Sequence, residues 1–335
     1  MLGFVCTLDD PYLGSTEKEP NPHFVSTTKF GARIPNDKEY NVLDCRHGRV
    51  LLLGKKGAAL TALVVWDPMT GCRRELPVPK DYYYFGHVAA VLCAVTGCDH
   101  RACHDGPFRV VLAAVHRSLG DCIVAAYVSS PEGCEWSKQC SGLQLEAEWS
   151  GPCSGIGLVT QNAFIELMPP VLIQGALYFM LWYDDDDRME ILKYDIGSNC
   201  SSLLDGSLAG VQVNIAAILM AMQDGSLGFA HQAGLTLNLW SRPIASDGVA
   251  TWTQRRVIDL KELLPIQNPK ETHRLVGYVE GSDIVFMITD LGIYEINLNS
   301  LQWKKIWKRE RLSTLFPYMS FYNPRGIFIS HLFVF

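Results

Sequence analysis

The sequence predicts an all-β protein, a β-propeller of four-stranded kelch-like blades. Three observations point there: a glycine-led hairpin start that recurs along the chain, a second turn signature downstream of it, and an interval of about 50 residues between repeats. A chain of 335 residues is longer than one small core needs, and a ring of blades accommodates that length as a single domain.

The hairpin start reads as a polar residue, a glycine and then an apolar strand. It occurs at His47-Gly48-Arg49-Val50-Leu51-Leu52, Gln174-Gly175-Ala176-Leu177-Tyr178-Phe179 and Asp224-Gly225-Ser226-Leu227-Gly228-Phe229. Glu280-Gly281-Ser282-Asp283-Ile284-Val285-Phe286 repeats it with one residue inserted. The glycine supplies the positive φ of a tight hairpin, and the β-branched and aromatic residues after it suit a pleated, half-buried surface. The second signature is an apolar strand that enters a polar turn and leaves as another strand. It runs from Val64-Val65-Trp66-Asp67-Pro68-Met69-Thr70-Gly71 into Cys72 to Leu76, and from Leu192-Lys193-Tyr194-Asp195 into Cys200 to Leu204. A third copy runs from Tyr294-Glu295-Ile296-Asn297 into Trp303 to Ile306. Asp or Asn opening such a turn accepts backbone amides ahead of it. Between Gly48 and Gly175 there is room for one more unit, with strands at Phe108 to Val115, Ile123 to Val128 and Trp136 to Gln139. Five blades are thus internal. Gly3 to Leu8, His23 to Lys29 and Pro317 to Asn323 remain, and a sixth blade built from both ends closes the ring and removes exposed sheet edges. Six blades are expected, with five or seven as the alternatives. The propeller spans residues 1–324, and 325–335 form an apolar tail. Helix is minor: Val257 to Leu264 allows a turn or two before Pro265.

Composition narrows the function classes. Hydrophobic residues make up 48% and charged residues 19% of the chain, a balance that supports a buried core rather than disorder. A net charge of -6 without a basic stripe speaks against nucleic acid or an anionic membrane as partner. The apolar runs Val88 to Val95 and Ile215 to Met222 fall short of the ~18 residues of a spanning helix. The N-terminus lacks the basic start of a signal peptide, and the 11 cysteines are scattered and odd in number. A reducing compartment, cytoplasm or nucleus, is expected.

Asp44-Cys45-Arg46-His47-Gly48-Arg49-Val50-Leu51-Leu52, followed by Val65-Trp66-Asp67-Pro68-Met69-Thr70-Gly71, resembles the C-terminal region of plant F-box proteins, especially the large grass group. Val171 to Asp195, Thr251 to Leu260 and Gly292 to Trp307 continue the likeness, which covers most of Leu2 to Pro324. The resemblance implies a propeller that captures a protein destined for ubiquitination. In that family an F-box ahead of it docks on the Skp1 adaptor of an SCF ubiquitin ligase. This sequence opens directly on the propeller-like region, so the adaptor is a partner only of a longer form that carries an F-box.

Several clusters carry residue types that could do chemistry. Cys98-Asp99-His100-Arg101-Ala102-Cys103-His104, with Cys93 nearby, offers zinc-ligand types, but all sit in one short segment without a second separated pair, so a solvated inter-blade loop is the preferred reading. Asp184 to Asp187 lacks calcium-loop spacing and reads as a charged hairpin tip between Tyr183 and Arg188. Gly151-Pro152-Cys153-Ser154-Gly155 places its serine one position late for a nucleophile elbow. Trp66, Trp136, Trp240, Trp252, Trp303 and Trp307 read as packing between sheets rather than as stacking platforms. No catalytic, cofactor-binding or metal residue is assigned, and no cofactor is expected. The predicted function is a non-enzymatic protein-interaction module whose target the sequence does not name. A propeller enzyme, a carbohydrate-binding propeller and a truncated fragment are the alternatives.

Overall fold

The glycine that opens four of the repeats turns the chain where an L side chain is strained. In the computed structural model Gly48, Gly175, Gly225 and Gly281 have φ of 75°, 78°, 78° and 67°, as the hairpin motif requires. His47 and Gln174 precede two of them at φ 51° and 49°, so both central residues of those turns are left-handed, which matches the twist of antiparallel strands. The structure describes residues 3–8, 23–26, 39–56, 59–78, 87–95, 97–98, 100, 103, 106–118, 121–129, 136–139, 163–183, 188–204, 216–244, 250–309 and 312–319.

Two short strands, β1 (Gly3–Leu8) and β2 (His23–Ser26), come first. The first blade is β3 (Glu39–Arg46), β4 (Arg49–Lys56), β5 (Ala59–Trp66) and β6 (Arg73–Leu76), paired in that order. The second is β7 (His87–Cys93), β8 (Phe108–Ser118), β9 (Asp121–Ser129) and β10 (Trp136–Gln139). In the third, β11 (Ala163–Ile165) and β12 (Val171–Ile173) both pair with β13 (Ala176–Tyr183), and β14 (Arg188–Asp195) and β15 (Cys200–Leu203) follow. The fourth is β16 (Ala216–Ala221), β17 (Leu227–Ala233), β18 (Thr236–Arg242) and β19 (Thr253–Asp259). The fifth is β20 (Arg274–Val279), β21 (Ile284–Ile288), β22 (Ile293–Asn297) and β23 (Trp303–Trp307). β24 (Leu312–Tyr318) pairs with β1, so the sixth sheet is β2-β1-β24.

The result is a six-bladed propeller. First strands follow one another around the ring: β3 lies beside β7, β12 beside β16, β16 beside β20, β20 beside β24, and β24 beside β3. Three details depart from the sequence expectation. The sixth blade shows three strands among the described residues, and its C-terminal strand starts at Leu312 rather than Pro317. The first strand of the third blade is split, because Pro169 and Pro170 have no N–H to donate to the ladder and the chain bulges between β11 and β12. The helix shrinks to α1 (Leu260–Leu263), as β19 runs on to Asp259, whose carboxylate then caps the Lys261 amide at 2.8 Å. Among the described residues no helix is long and apolar enough to cross a membrane.

Apolar side chains are buried between sheets rather than in one central core. Leu51, Leu63, Val91 and Leu112 fill the seam between the first two blades. Phe4, Val276, Phe286 and Leu315 fill the seam between the fifth and sixth, and Val5, Val50, Trp66 and Phe316 the one between the sixth and first. Each fully buried side chain of this size contributes about 1.5–3 kcal/mol. The turn signature behaves as expected: Asp67 accepts the Met69 amide at 2.8 Å, Asp195 that of Ser198 at 2.8 Å, and Asn297 that of Ser300 at 2.9 Å. Outer strands carry exposed cations at Arg73, Arg74, Arg255, Arg256, Lys304 and Lys305, which discourage edge-to-edge pairing.

Closure depends on a close approach. β24 passes so near β20 that a Cβ on Gly277 would fall inside contact distance of the Leu315 carbonyl oxygen, where backbone cannot yield cheaply. Gly277→Ala is expected to cost about 1–3 kcal/mol through forced backbone displacement. The check is a lowered urea midpoint with an unchanged slope; an unchanged midpoint rules out the tight seam.

Candidate functional site

The turns that join first to second strands, and third to fourth strands, collect at one end of the ring. Arg46 stands at the centre of that end. Its Nε donates to Glu280 Oε2 at 2.9 Å, its Nη1 to Asp44 Oδ2 at 2.9 Å, and its Nη2 to the Pro170 carbonyl. These partners belong to the fifth, first and third blades, and a side chain that reaches three alternate blades of a six-bladed ring sits on its axis. Asp44 adds a fourth connection, accepting the Val91 amide of the second blade at 2.8 Å. Local sequence explains the placement. A bulge in β3 between Val42 and Asp44 re-aims the strand, and Asp44 and Arg46, two residues apart, share one face. The proline-induced bulge before β12 delivers the Pro170 carbonyl and also brings Leu167 O within 3.5 Å of Thr314 Oγ1 on the sixth blade.

Electrostatics at the axis are those of a buried ion cluster. Burial opposes the charge on Arg46, but Asp44 and Glu280 outweigh it and hold the guanidinium above its ordinary value. Burial raises the Asp44 carboxyl to about 6, with Arg46 and the Val91 amide pulling the other way. Burial likewise raises the neighbouring Tyr278 phenol.

Beside this axis lies a cavity of about 350 Å³ between the first three blades. His47, Cys93, His100, Arg109, Leu172 and Ile196 are among its walls. The His47 ring stacks on His100 with centroids 3.9 Å apart and 10° between planes. Burial, then His100, Arg46 and Arg49, lower its imidazole to about 3. Arg49 is 2% exposed; it donates to the Cys103 carbonyl and to Gly106 O at 2.9 Å, and its guanidinium lies 5.7 Å from the Phe108 ring centre.

The loop from β7 to β8 brings Cys93, Cys98, His100 and Cys103 together, with the four ligand atoms all within 4.8 Å of one another. Cys93 Sγ accepts the Val95 amide at 3.4 Å and Cys98 Sγ the His100 amide at 3.3 Å. Cys103 Sγ lies 3.7 Å from His100 Nδ1. Burial and the adjoining Cys93 push the Cys103 thiol up to about 12. The sequence reading preferred a loop without metal because these residues share one segment. In the folded chain that segment doubles back, through Gly97 and His100 at φ 68° and 60°, which brings the four side chains together.

Other candidates resolve differently. His104, Asp184 to Asp187, Gly151 to Gly155 and the 325–335 tail lie outside the described residues. Trp66 is buried, and Trp240, Trp252 and Trp307 pack on the inter-blade clusters, in line with a packing role. Trp303 is 42% exposed on the outermost strand of its blade, edge-on to Tyr294. The axial cluster was not anticipated; its sequence signal is a pair of opposite charges two apart at the end of a strand, Asp44 and Arg46, shortly before the hairpin glycine Gly48.

No family model and no curated protein matches the chain. Solved structures similar to it include oligopeptidase B from Trypanosoma brucei with covalently bound antipain, at 9% identity and TM-score 0.41, covering 87% of this chain and 37% of that one. A quinonprotein alcohol dehydrogenase-like protein from Bacteroides thetaiotaomicron has 13% identity and TM-score 0.40, covering 92% of this chain and 64% of that one. An oligogalacturonate lyase in complex with manganese has 11% identity and TM-score 0.37, covering 84% of each chain. The chain therefore spans less than two thirds of the first two. At these identities and scores none of them carries an activity over to this protein.

Two outcomes are expected at the axis. Arg46→Ala leaves Asp44 buried without its counter-charge and should cost about 3–5 kcal/mol, read as a lowered urea midpoint. The folded chain also keeps the Asp44 proton up to about pH 6, against 3.8 as its ordinary value. The folded state thus binds the extra proton across that window, and this group's contribution to stability falls as pH rises through it. Asp44→Asn should flatten that part of the stability-versus-pH curve, and an unaltered slope there contradicts the assignment.

Proposed function

We propose that this chain is a protein-interaction module that holds a partner at the turn face of its ring, and that it binds rather than catalyses. The observation that carries the reading is the filled axis. Propeller scaffolds bring side chains from several blades together near the central channel. Here the converging groups, Arg46, Asp44, Glu280 and the Pro170 carbonyl, are occupied by one another. Recognition is left to the turns around that plug. Gln223, Asp224, Asn299 and Ser300 are exposed there on short hairpins tied to the blades, and such loops vary in sequence without disturbing the scaffold.

The resemblance to grass F-box proteins supports a finer version, in which the partner is a protein marked for ubiquitination and the Skp1 adaptor is engaged only through an F-box joined to the propeller. Cys45, Cys72, Cys93, Cys98, Cys103 and Cys200 stand outside disulfides, which accords with cytoplasm or nucleus.

The test is affinity purification of this chain from plant cells, beside a version with an F-box fused in front, followed by mass spectrometry. Shared specific partners, with the adaptor recovered only by the fusion, support the reading; absence of any specific partner from both defeats it. The doubly substituted Gln223→Arg, Ser300→Arg chain should lose at least about tenfold in partner recovery, the scale of a lost interface anchor. Lys261→Glu with Lys270→Glu, on connections at the opposite end, should leave recovery unchanged. The reverse ranking moves the interface to the other face.

A further inference from the structure

We propose that Cys93, Cys98, His100 and Cys103 bind one zinc ion as a closed structural site that clamps the β7–β8 loop onto the first blade. Three sulfurs and one imidazole nitrogen are the donor set of a four-coordinate structural zinc site, and with no position left for water the ion has no catalytic vacancy. Tetrahedral zinc with Zn–S of about 2.3 Å and Zn–N of about 2.0 Å places a sulfur about 3.6 Å from the nitrogen and about 3.8 Å from another sulfur. The Cys103 Sγ to His100 Nδ1 distance of 3.7 Å already meets that, and the widest separation, within 4.8 Å, needs a contraction of about 1 Å.

The surroundings suit a metal–thiolate centre. The Val95 and His100 amides point at the Cys93 and Cys98 sulfurs, as donors that stabilise thiolate charge. The His47 ring lies flat on the ligating imidazole and fixes its plane. An independent sign comes from Arg49. It is buried at 2% exposure on the carbonyl of Cys103, and its Nη1 has no hydrogen-bond partner among the described residues. A buried guanidinium asks for a counter-charge. Zinc with three thiolates carries a net charge of about -1, so loading the site supplies that charge beside Arg49. Each thiol proton displaced by the metal passes to solvent, and nothing is oxidised or reduced.

The clamp has a structural consequence. Arg49 belongs to β4 and His47 to the turn before it, so a metal-held loop joins the second blade to the first at the rim of the 350 Å³ cavity. This inference stands apart from the partner reading, since the site can hold zinc whether or not the ring binds a protein.

The experiment uses the full chain, purified under reducing conditions without chelator, with zinc measured by plasma mass spectrometry. About one equivalent per chain is expected. The metal-free chain is then titrated with Co²⁺, which should give the visible bands of tetrahedral thiolate cobalt and lose them when Zn²⁺ is added. Cys98→Ser and Cys103→Ser should abolish both signals, while Cys72→Ser and Cys200→Ser, at exposed cysteines elsewhere, should retain them. His47→Ala should keep the cobalt bands with affinity weakened about tenfold or more. If the ligand variants fail to fold, the cobalt titration of the unaltered chain decides alone. Sub-stoichiometric zinc with no tetrahedral cobalt bands in the reduced, folded chain overturns the proposal. So does a Cys98→Ser, Cys103→Ser chain that folds and holds as much zinc as the original.

Discussion

A guanidinium enclosed at the axis of the ring is the constraint on which the arrangement of blades depends. Removing a charge from water costs several kcal/mol even after relaxation, so Arg46 is tolerated there only while every donor is met. Its partners are supplied by Asp44 on its own strand, by Glu280 from the fifth blade and by a backbone carbonyl from the third. None of the three can be displaced by more than a fraction of an ångström without leaving a buried charge unpaired. Apolar seams between sheets tolerate small slides because dispersion is non-directional. The axial hydrogen bonds do not, and they hold the blades they join in one register.

The ring is also held at its seam. β1 and β24 come from opposite ends of the described chain, and their pairing is the only ladder of the described strands that joins such distant segments. Without it, the fifth and first blades would present Phe286, Val276, Trp66 and Val50 to water. The hydrophobic effect therefore drives closure, while Gly277 permits it by letting β24 approach its neighbour. Tyr318 then reaches the Gly48 carbonyl at 3.4 Å, next to the turn that carries Arg46 and His47, so seam and axis are linked through a few residues.

Local features were legible in the sequence and convergent ones were not. Hairpin glycines, Asx turns and the four-strand rhythm depend on residues within a few positions of each other, and the structure places them as the motifs require. The ends were matched as a sixth blade because a propeller needs closure, although Leu312 to Pro317 escaped notice since the strand begins before the proline. What was not legible depends on encounters across the ring. Asp44 and Arg46 are turned inward by a bulge that no local motif announces, and Glu280 reads in the sequence only as the polar opening of a hairpin. The cysteine loop was legible in its residue types but not in its geometry, because left-handed residues such as Gly97 and His100 let a single loop fold its donors back on one another.

The axial plug and the cysteine loop also bear on how the turn face works. Binding through loops ordinarily carries an entropic cost for every segment that must be ordered, about 0.5–1.5 kcal/mol per immobilised flexible side chain. Here the central turns are ordered in advance: Arg46 ties the first, third and fifth blades, and Arg49 ties the first to the second. A partner that docks on this face meets a surface whose geometry is set by buried contacts, and little of its interaction energy is consumed in arranging it. The exposed side chains of Gln223 and Ser300, by contrast, take no part in those contacts. On the proposed binding role, rigidity and specificity reside in different residues, so one scaffold can present many different surfaces.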